Sequence, residues 1–250
     1  MDFKLAGKTA IVTGASRGLG RAIATALADE GVNVFGVARS SKNLDELATH
    51  ASGRIKTFAC DVTDMSALAK VPEAAVKAFG RLDIVVNNAG GQVIKPFHEL
   101  PLDDWLWHFT INVHSAATLC KAASPYLFAQ KSGKVINMAS TAGVKGVANL
   151  VGYCTVKGAL IQFTRGLAVE WASKGVQVNA IGAGTFLTDL TPEILRVPGK
   201  AREDRMAKIP DGRQGQPEEI GPLACYLASP LSDHVTGALL MTDGGETIRL

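Results

Sequence analysis

The chain is 250 residues long, 47% hydrophobic and 20% charged, with a formal net charge of +3. That length fits one large α/β domain, or two small ones, with a substantial core. So small a charge, with Lys and Arg scattered along the chain, provides no basic tail or stripe and argues against nucleic acid as a partner. No apolar run reaches the roughly 18–20 residues of a membrane span.

Short β-branched runs alternate with longer helical patterns, which predicts βαβ units and a mostly parallel, Rossmann-type doubly wound sheet over residues 1–250. The first strand falls at 9–12. It runs into Thr13-Gly14-Ala15-Ser16-Arg17-Gly18-Leu19-Gly20 and then a helix with Leu19, Ala22, Ile23, Ala26 and Leu27 on one face. Glycines between strand and helix permit a tight turn, close approach to a pyrophosphate and close helix–strand packing. The helix N-terminus favours the anion. The spacing G-x-x-x-G-x-G departs from the general G-x-G-x-x-G fingerprint, and a purely structural turn is the alternative.

The second strand, 33–37, leads to Val37-Ala38-Arg39-Ser40-Ser41-Lys42. An acid here would bind the ribose 2′-OH of NAD, whereas Arg accommodates a 2′-phosphate. With no acid present, Arg39, helped by Arg17, points to NADP(H); two solvated arginines are the plain alternative. Further strands are expected at 56–59, 83–86, 134–138, 176–181 and 238–242. Helices are expected at about 43–50, 65–79, 103–129, 153–173 and 217–228.

The C-terminal ends of parallel strands form a ligand crevice. Asn87-Asn88-Ala89-Gly90 ends one strand there and Ser140 another. Asn112 sits within a predicted helix, where Asn is a mediocre helix former, and either disturbs it to hold a water or is simply satisfied and buried. Tyr153 and Lys157, four residues apart at a helix start, share one face. A free Tyr has a pKa near 10, and a neighbouring cation favours phenolate. The segment 188–214, with Pro192, Pro198 and Pro210 among mixed charges, is expected to be a substrate lid.

Cys60, Cys120, Cys154 and Cys225 lie far apart with no CxxC pair, so neither a metal site nor a disulfide framework is expected. Cys154 adjoins Tyr153 but has no His companion for nucleophilic work. Residues 1–7 lack the basic and apolar regions of a signal peptide, and a cytoplasmic protein is expected.

TGASRGLG, NNAG, the helical Asn112, Ser140 and Tyr153-Cys154-Thr155-Val156-Lys157 together resemble the short-chain dehydrogenase/reductase family, and the likeness extends over almost the whole chain. Cys60-Asp61-Val62 looks like its adenine-side contact, Val178-Asn179-Ala180 through Thr188-Asp189-Leu190 its nicotinamide-side segment, and Asp243-Gly244-Gly245 its C-terminal signature. The resemblance implies catalysis by Asn112, Ser140, Tyr153 and Lys157. It also implies cofactor contacts from Gly14, Ser16, Arg17, Gly18, Leu19, Gly20, Arg39, Ser40, Asp61, Val62, Asn88, Ala89, Gly90, Tyr153, Lys157, Gly184, Phe186 and Thr188. Tyr153 would exchange a proton with the substrate oxygen, Ser140 would hydrogen-bond it, Lys157 would bind the nicotinamide ribose and lower the Tyr153 pKa, and Asn112 would hold a relay water. Ala183 stands where the family usually has proline.

The implied function is hydride transfer between NADP(H) and a small carbonyl or alcohol substrate, in a homotetramer without membrane or nucleic-acid partners. The look is nearest to 3-oxoacyl-carrier-protein reductases and sugar-acid dehydrogenases. Lys131 and Lys174 would meet an acidic carrier protein in the first case. Val144, Val147, Asn149, Val151 and the lid would shape the pocket. A cofactor-binding regulator without turnover and an RNA-associated platform are the non-enzymatic alternatives.

Overall fold

The computed structural model describes residues 2–51, 53–189 and 191–249. Seven parallel strands form one sheet in the order β3-β2-β1-β4-β5-β6-β7. They are β1 Thr9–Thr13, β2 Asn33–Ala38, β3 Ile55–Ala59, β4 Ile84–Asn87, β5 Gly133–Ser140, β6 Val176–Ala183 and β7 Leu239–Thr242.

The central strands are buried on both faces, and their alternation sorts side chains into two cores. Ala10 and Val12 of β1 face α1 (Gly18–Asp29), α2 (Ser41–His50) and α10 (Gly221–Ala228), meeting Ile23, Leu27, Leu44 and Ala224. Ile11, with Val85 and Val135, faces the opposite layer. There Val71 and Ala75 of α4 (Val71–Phe79), Leu119 and Leu127 of α6 (Ser115–Gln130), and Ala168 and Trp171 of α7 (Val151–Trp171) complete the core. Among the described residues, no helix is long and apolar enough to cross a membrane.

All seven strands lie where the short β-branched runs put them, within two residues at either end. The helices differ in three places. The helix expected over 65–79 is two: α3 (Met65–Leu68), capped by Asp64 through the N–H groups of Ser66 and Ala67 at 3.0 Å, and α4, which restarts at Pro72. Proline lacks an N–H and clashes with the preceding turn, so Pro72 is best placed at a helix start. The helix expected over 103–129 is interrupted. α5 (Leu102–Phe109) passes into a π-turn at Thr110–His114 before α6 begins, with Asn112 inside the turn. The proline-rich 188–214 segment contains two short helices, α8 (Glu193–Arg196) and α9 (Lys200–Met206). Leu190 lies outside the described residues.

A buried polar chain fixes α7 against the sheet. Asn87 Nδ2 donates to Asn137 Oδ1 at 2.8 Å, Asn137 Nδ2 donates to Thr164 Oγ1 at 2.9 Å, and Thr164 Oγ1 donates to the Leu160 carbonyl at 2.8 Å. β4, β5 and α7 are thereby held in one register, and with them Ser140 and Tyr153. The sheet ladder also takes in Ala183 of β6, which is paired with Ser140 of β5 on one side and with Thr242 of β7 on the other.

Candidate active site

Strand order reverses between β1 and β4, and a cleft of about 1120 Å³ opens at the C-terminal ends of the strands there. Its floor is stitched backbone. Thr13 Oγ1 accepts from the N–H groups of Asn88 and Ala89, both at 3.0 Å, and Asn88 Nδ2 donates to the Thr13 carbonyl at 2.9 Å. This packing explains the glycines. A Cβ on Gly14 would lie 2.7 Å from Asn88 Nδ2, and one on Gly20 2.2 Å from the Gly14 carbonyl oxygen. Gly14 also holds φ +67°, which side chains disfavour.

Helix α1 starts at Gly18 with Arg17 at its N-cap, no side-chain cap and no acid in its first turn. Uncapped N–H groups and the positive end of the helix dipole suit a phosphate. Ser16, Arg17, Gly18, Leu19 and Gly20 line the cleft at this point, so the residues present fit a pyrophosphate.

Arg39, Ser40, Asp61 and Val62 line the neighbouring wall. Arg39 is exposed, and Ser40 caps α2 through the Asn43 N–H. The Asp61 carboxyl is held below its usual range first by the Thr63 backbone N–H at 2.9 Å, then by the Thr63 hydroxyl and by Arg39. Arg17 reaches across to Asp189 at 3.7 Å, both side chains about half exposed. The second cation expected at a 2′-phosphate is therefore loosely paired in the protein alone.

At the other end, Ser140 closes β5 and its hydroxyl accepts from the Ala142 N–H at 3.1 Å. Tyr153 and Lys157 sit in the first two turns of α7 on one face. The Lys157 ammonium lies 5.4 Å from the Tyr153 ring centroid and donates to the Met138 carbonyl at 2.8 Å. Burial pushes Lys157 down to about 8. Burial also pushes the Tyr153 phenol up to about 12, with Ser140 opposing the rise. In the protein alone, desolvation, not a neighbouring cation, sets the direction for Tyr153, contrary to the expected lowering by Lys157.

Asn112 is buried just behind this wall. Its amide donates to the carbonyls of Gly91 at 3.0 Å and His108 at 2.9 Å, and its oxygen accepts from the Gly91 N–H at 3.4 Å. Asn112 thus both satisfies the π-turn and shapes the Gly90-Gly91 loop. A Cβ on Gly90 would sit 2.6 Å from Asn112 Oδ1 and 3.4 Å from Lys157 Nζ. Gly184, Phe186 and Thr188 line the cleft beyond the end of β6. A Cβ on Gly184 would lie 2.7 Å from the Asp243 Cα, so the chain can pass there only as glycine.

Asn112 apart, every residue expected to act in catalysis or hold the cofactor lines this one cleft; Asn112 stands one layer behind. Of the four residues expected to shape the substrate pocket, Val147 lines the cleft and Val144, Asn149 and Val151 do not. Val144 and Val151 point their surface to solvent instead. Four charged lining residues were not singled out by the sequence pattern: Lys145, Arg205, Lys208 and Glu246. Glu246 is almost fully buried and pairs with both Lys145 and, at 2.7 Å, Arg205. A glutamate directly after the Asp243-Gly244-Gly245 signature was a usable signal, but its partners are 101 and 41 residues away.

The profile of the family described as Enoyl-(Acyl carrier protein) reductase matches residues 14–247. D-threitol dehydrogenase of Mycolicibacterium smegmatis is 37% identical over 252 residues, 99% of this chain and 96% of that protein. A 3-oxoacyl-[acyl-carrier-protein] reductase of Thermotoga maritima is 33% identical, covering 98% of this chain and all of its own. The crystal structure of a putative NAD(P)-dependent gluconate 5-dehydrogenase from Beutenbergia cavernae, with bound NADP at low occupancy, superposes at a TM-score of 0.92 with 35% identity over the full length of both chains. With its parallel sheet, glycine turn and Ser-Tyr-Lys cleft, the chain belongs to the short-chain dehydrogenase/reductase family, oxidoreductases acting on alcohols and carbonyls.

Proposed function

We propose that this protein is an NADP(H)-dependent oxidoreductase that moves a hydride between the nicotinamide and the carbon of a ketone or secondary alcohol, with Tyr153 as acid and base. The observation that carries this reading is the presence of Ser140, Tyr153 and Lys157 in the same cleft as the glycine turn. The turn and the uncapped start of α1 would hold the pyrophosphate. Arg39 would meet the 2′-phosphate, Asp61 and Val62 the adenine side, Lys157 the nicotinamide ribose, and Gly184, Phe186 and Thr188 the nicotinamide side. The bound cofactor supplies or accepts the hydride.

The protein's own part is proton handling and charge stabilisation. Ser140 accepts from the Ala142 N–H and keeps its own proton to donate to the substrate oxygen. Tyr153, raised by burial, is a phenol at neutral pH and gives its proton to the carbonyl oxygen during reduction. In the oxidative direction it takes the proton back, and the Lys157 cation favours the phenolate this requires. Asn112 acts by holding the Gly90-Gly91 loop, with a relay water as its further role.

Residues 188–214 act as a lid tethered by Arg17–Asp189. Exposed Leu102, Leu106 and Trp107 on α5, with Val151 and Val169 on α7, supply apolar surface for a homotetramer. Four free cysteines suit a reducing cytoplasm. The 33% identity to a carrier-protein reductase supports a second reading, reduction of a 3-oxoacyl thioester.

The test is to follow NADPH and NADH oxidation against ketones, 3-oxoacyl thioesters and keto-sugars, with Tyr153→Phe as control. Turnover with NADPH, lost in the variant, is expected. Cofactor binding without turnover of any of these compounds would favour a regulator instead.

A further inference from the structure

The substrate end of the cleft has a charge arrangement that the hydride chemistry does not use. Lys145 comes five residues after Ser140, set by its backbone N–H bond to the Thr141 carbonyl. Arg205 stands on α9 of the lid, and Glu246 on the turn after β7. The Glu246 side chain is 2% exposed, against 34% for Lys145 and 26% for Arg205. Both cations converge on one oxygen of Glu246, Oε1, and the Arg205 Nη2 that reaches it also donates to Thr185 Oγ1. Lys208 also lines the cleft but is exposed.

Two partly buried cations, Lys145 and Arg205, face one carboxylate on this wall. Asp243, the next acid, is not among the residues lining the cleft and is engaged by the Gly245 and Thr247 N–H groups and the Thr247 hydroxyl. Donor capacity is left over too. An ammonium has three N–H groups and a guanidinium five, and only those of Lys145 toward Glu246 and of Arg205 Nη2 are engaged. A partly buried positive excess with free planar donors is matched by an anion that accepts in a fork, as a carboxylate does.

We infer that this wall is a receptor for a carboxylate on the substrate, so that the compound oxidised is a hydroxy acid and the compound reduced an oxo acid. Lys145 and Arg205 are its specificity-determining residues, and Glu246 is a positioning residue that draws the two cations from separate segments to one point. The inference rests on the oxidoreductase reading above and specifies its substrate. The cations lie inside the cleft, within reach of a small molecule; a carrier protein would need them on the outer surface.

The experiment compares C4–C6 aldonates with their matched alditols, and with a 3-hydroxyacyl thioester, as substrates for the full chain with NADP⁺. An aldonate is expected to exceed its alditol in kcat/KM by ~10-fold or more, chiefly through KM, as for a charge-assisted hydrogen bond. In Arg205→Met and Lys145→Met the aldonate-to-alditol ratio should fall ~10-fold or more. Arg205→Lys, which keeps the charge, should restore part of it and serves if the Met variant does not fold. Better turnover of an alditol or of the thioester would overturn the inference while leaving the oxidoreductase reading intact. So would variants that slow acid and alditol equally, since that is the mark of a structural role. No turnover of any alcohol, with NADP⁺ bound, would sink both.

Discussion

At the dinucleotide end the wall of the cleft is largely backbone: the Gly14–Gly20 turn, braced by the Thr13 hydroxyl and Asn88 amide, and the bare first turn of α1. At the substrate end it is side chains, with Lys145, Arg205 and Glu246 brought together from three distant segments. A wall of backbone recognises what every dinucleotide shares and tolerates almost no substitution. A wall of side chains is specific and can be changed one residue at a time. Ser140, Tyr153 and Lys157 lie between, on elements locked by the Asn87–Asn137–Thr164 chain.

That contrast is sharpest where the chemistry is. Tyr153→Phe keeps the ring and removes the proton carrier, so kcat should fall at least ~10²-fold while NADPH binding survives; fluorescence titration beside turnover separates the two. Near-normal turnover would remove Tyr153 from the mechanism. Arg39→Asp tests a cofactor contact made by a side chain at the dinucleotide end. It should shift the preference from NADPH toward NADH by roughly 2–4 kcal/mol, read as the ratio of kcat/KM values. A wild type that already prefers NADH would refute the assignment.

Lys157 should show a cost of building the site. Its folded pKa, about 8, lies below the usual 10.5, so the folded chain binds fewer protons than the unfolded one between those values. Stability from this group rises with pH across that window, and below pH 8 the penalty is complete. Lys157→Met should therefore stabilise the cofactor-free fold at pH 7 by on the order of 2–3 kcal/mol, with the gain shrinking toward pH 10. Urea melts at both pH values check this, and equal stability throughout would mean that the buried ammonium is compensated. The smallest effect belongs to the Arg17–Asp189 tether. Asp189→Asn should change overall stability by less than ~1 kcal/mol, since the pair is exposed. It should nevertheless speed proteolytic cutting within 188–214 in the absence of ligand; an unchanged cutting rate would count against a tethered lid.

The backbone end was legible in the sequence because its signals are local. Glycines sit between a strand and a helix, and an Arg stands where an acid would otherwise be. The strands followed from short β-branched runs for the same reason. Pro72 was legible in principle as a helix restart, but the apolar spacing runs through it and hid the break. The π-turn at Asn112 depends on the amide finding Gly91, a contact made across a loop, so only the poor helix propensity of Asn showed beforehand. Helices α8 and α9 are too short for periodicity to register. Glu246 was the least visible: its place after the Asp243-Gly244-Gly245 signature was the one local mark, and its meaning lies in Lys145 and Arg205, far away in sequence.

The strand order has a consequence for how the chain is made. β1 pairs with β2 on one edge and with β4 on the other. β1 ends at Thr13 and β4 begins only at Ile84. At ~5–20 residues per second, β1 waits about 4–14 s with one flank of an entirely apolar Ala-Ile-Val run unpaired. An open hydrophobic edge of this kind templates association with other chains. During synthesis the centre of the finished sheet is thus the segment most in need of shielding, and the region around 9–13 is where a nascent-chain chaperone would find its most attractive surface.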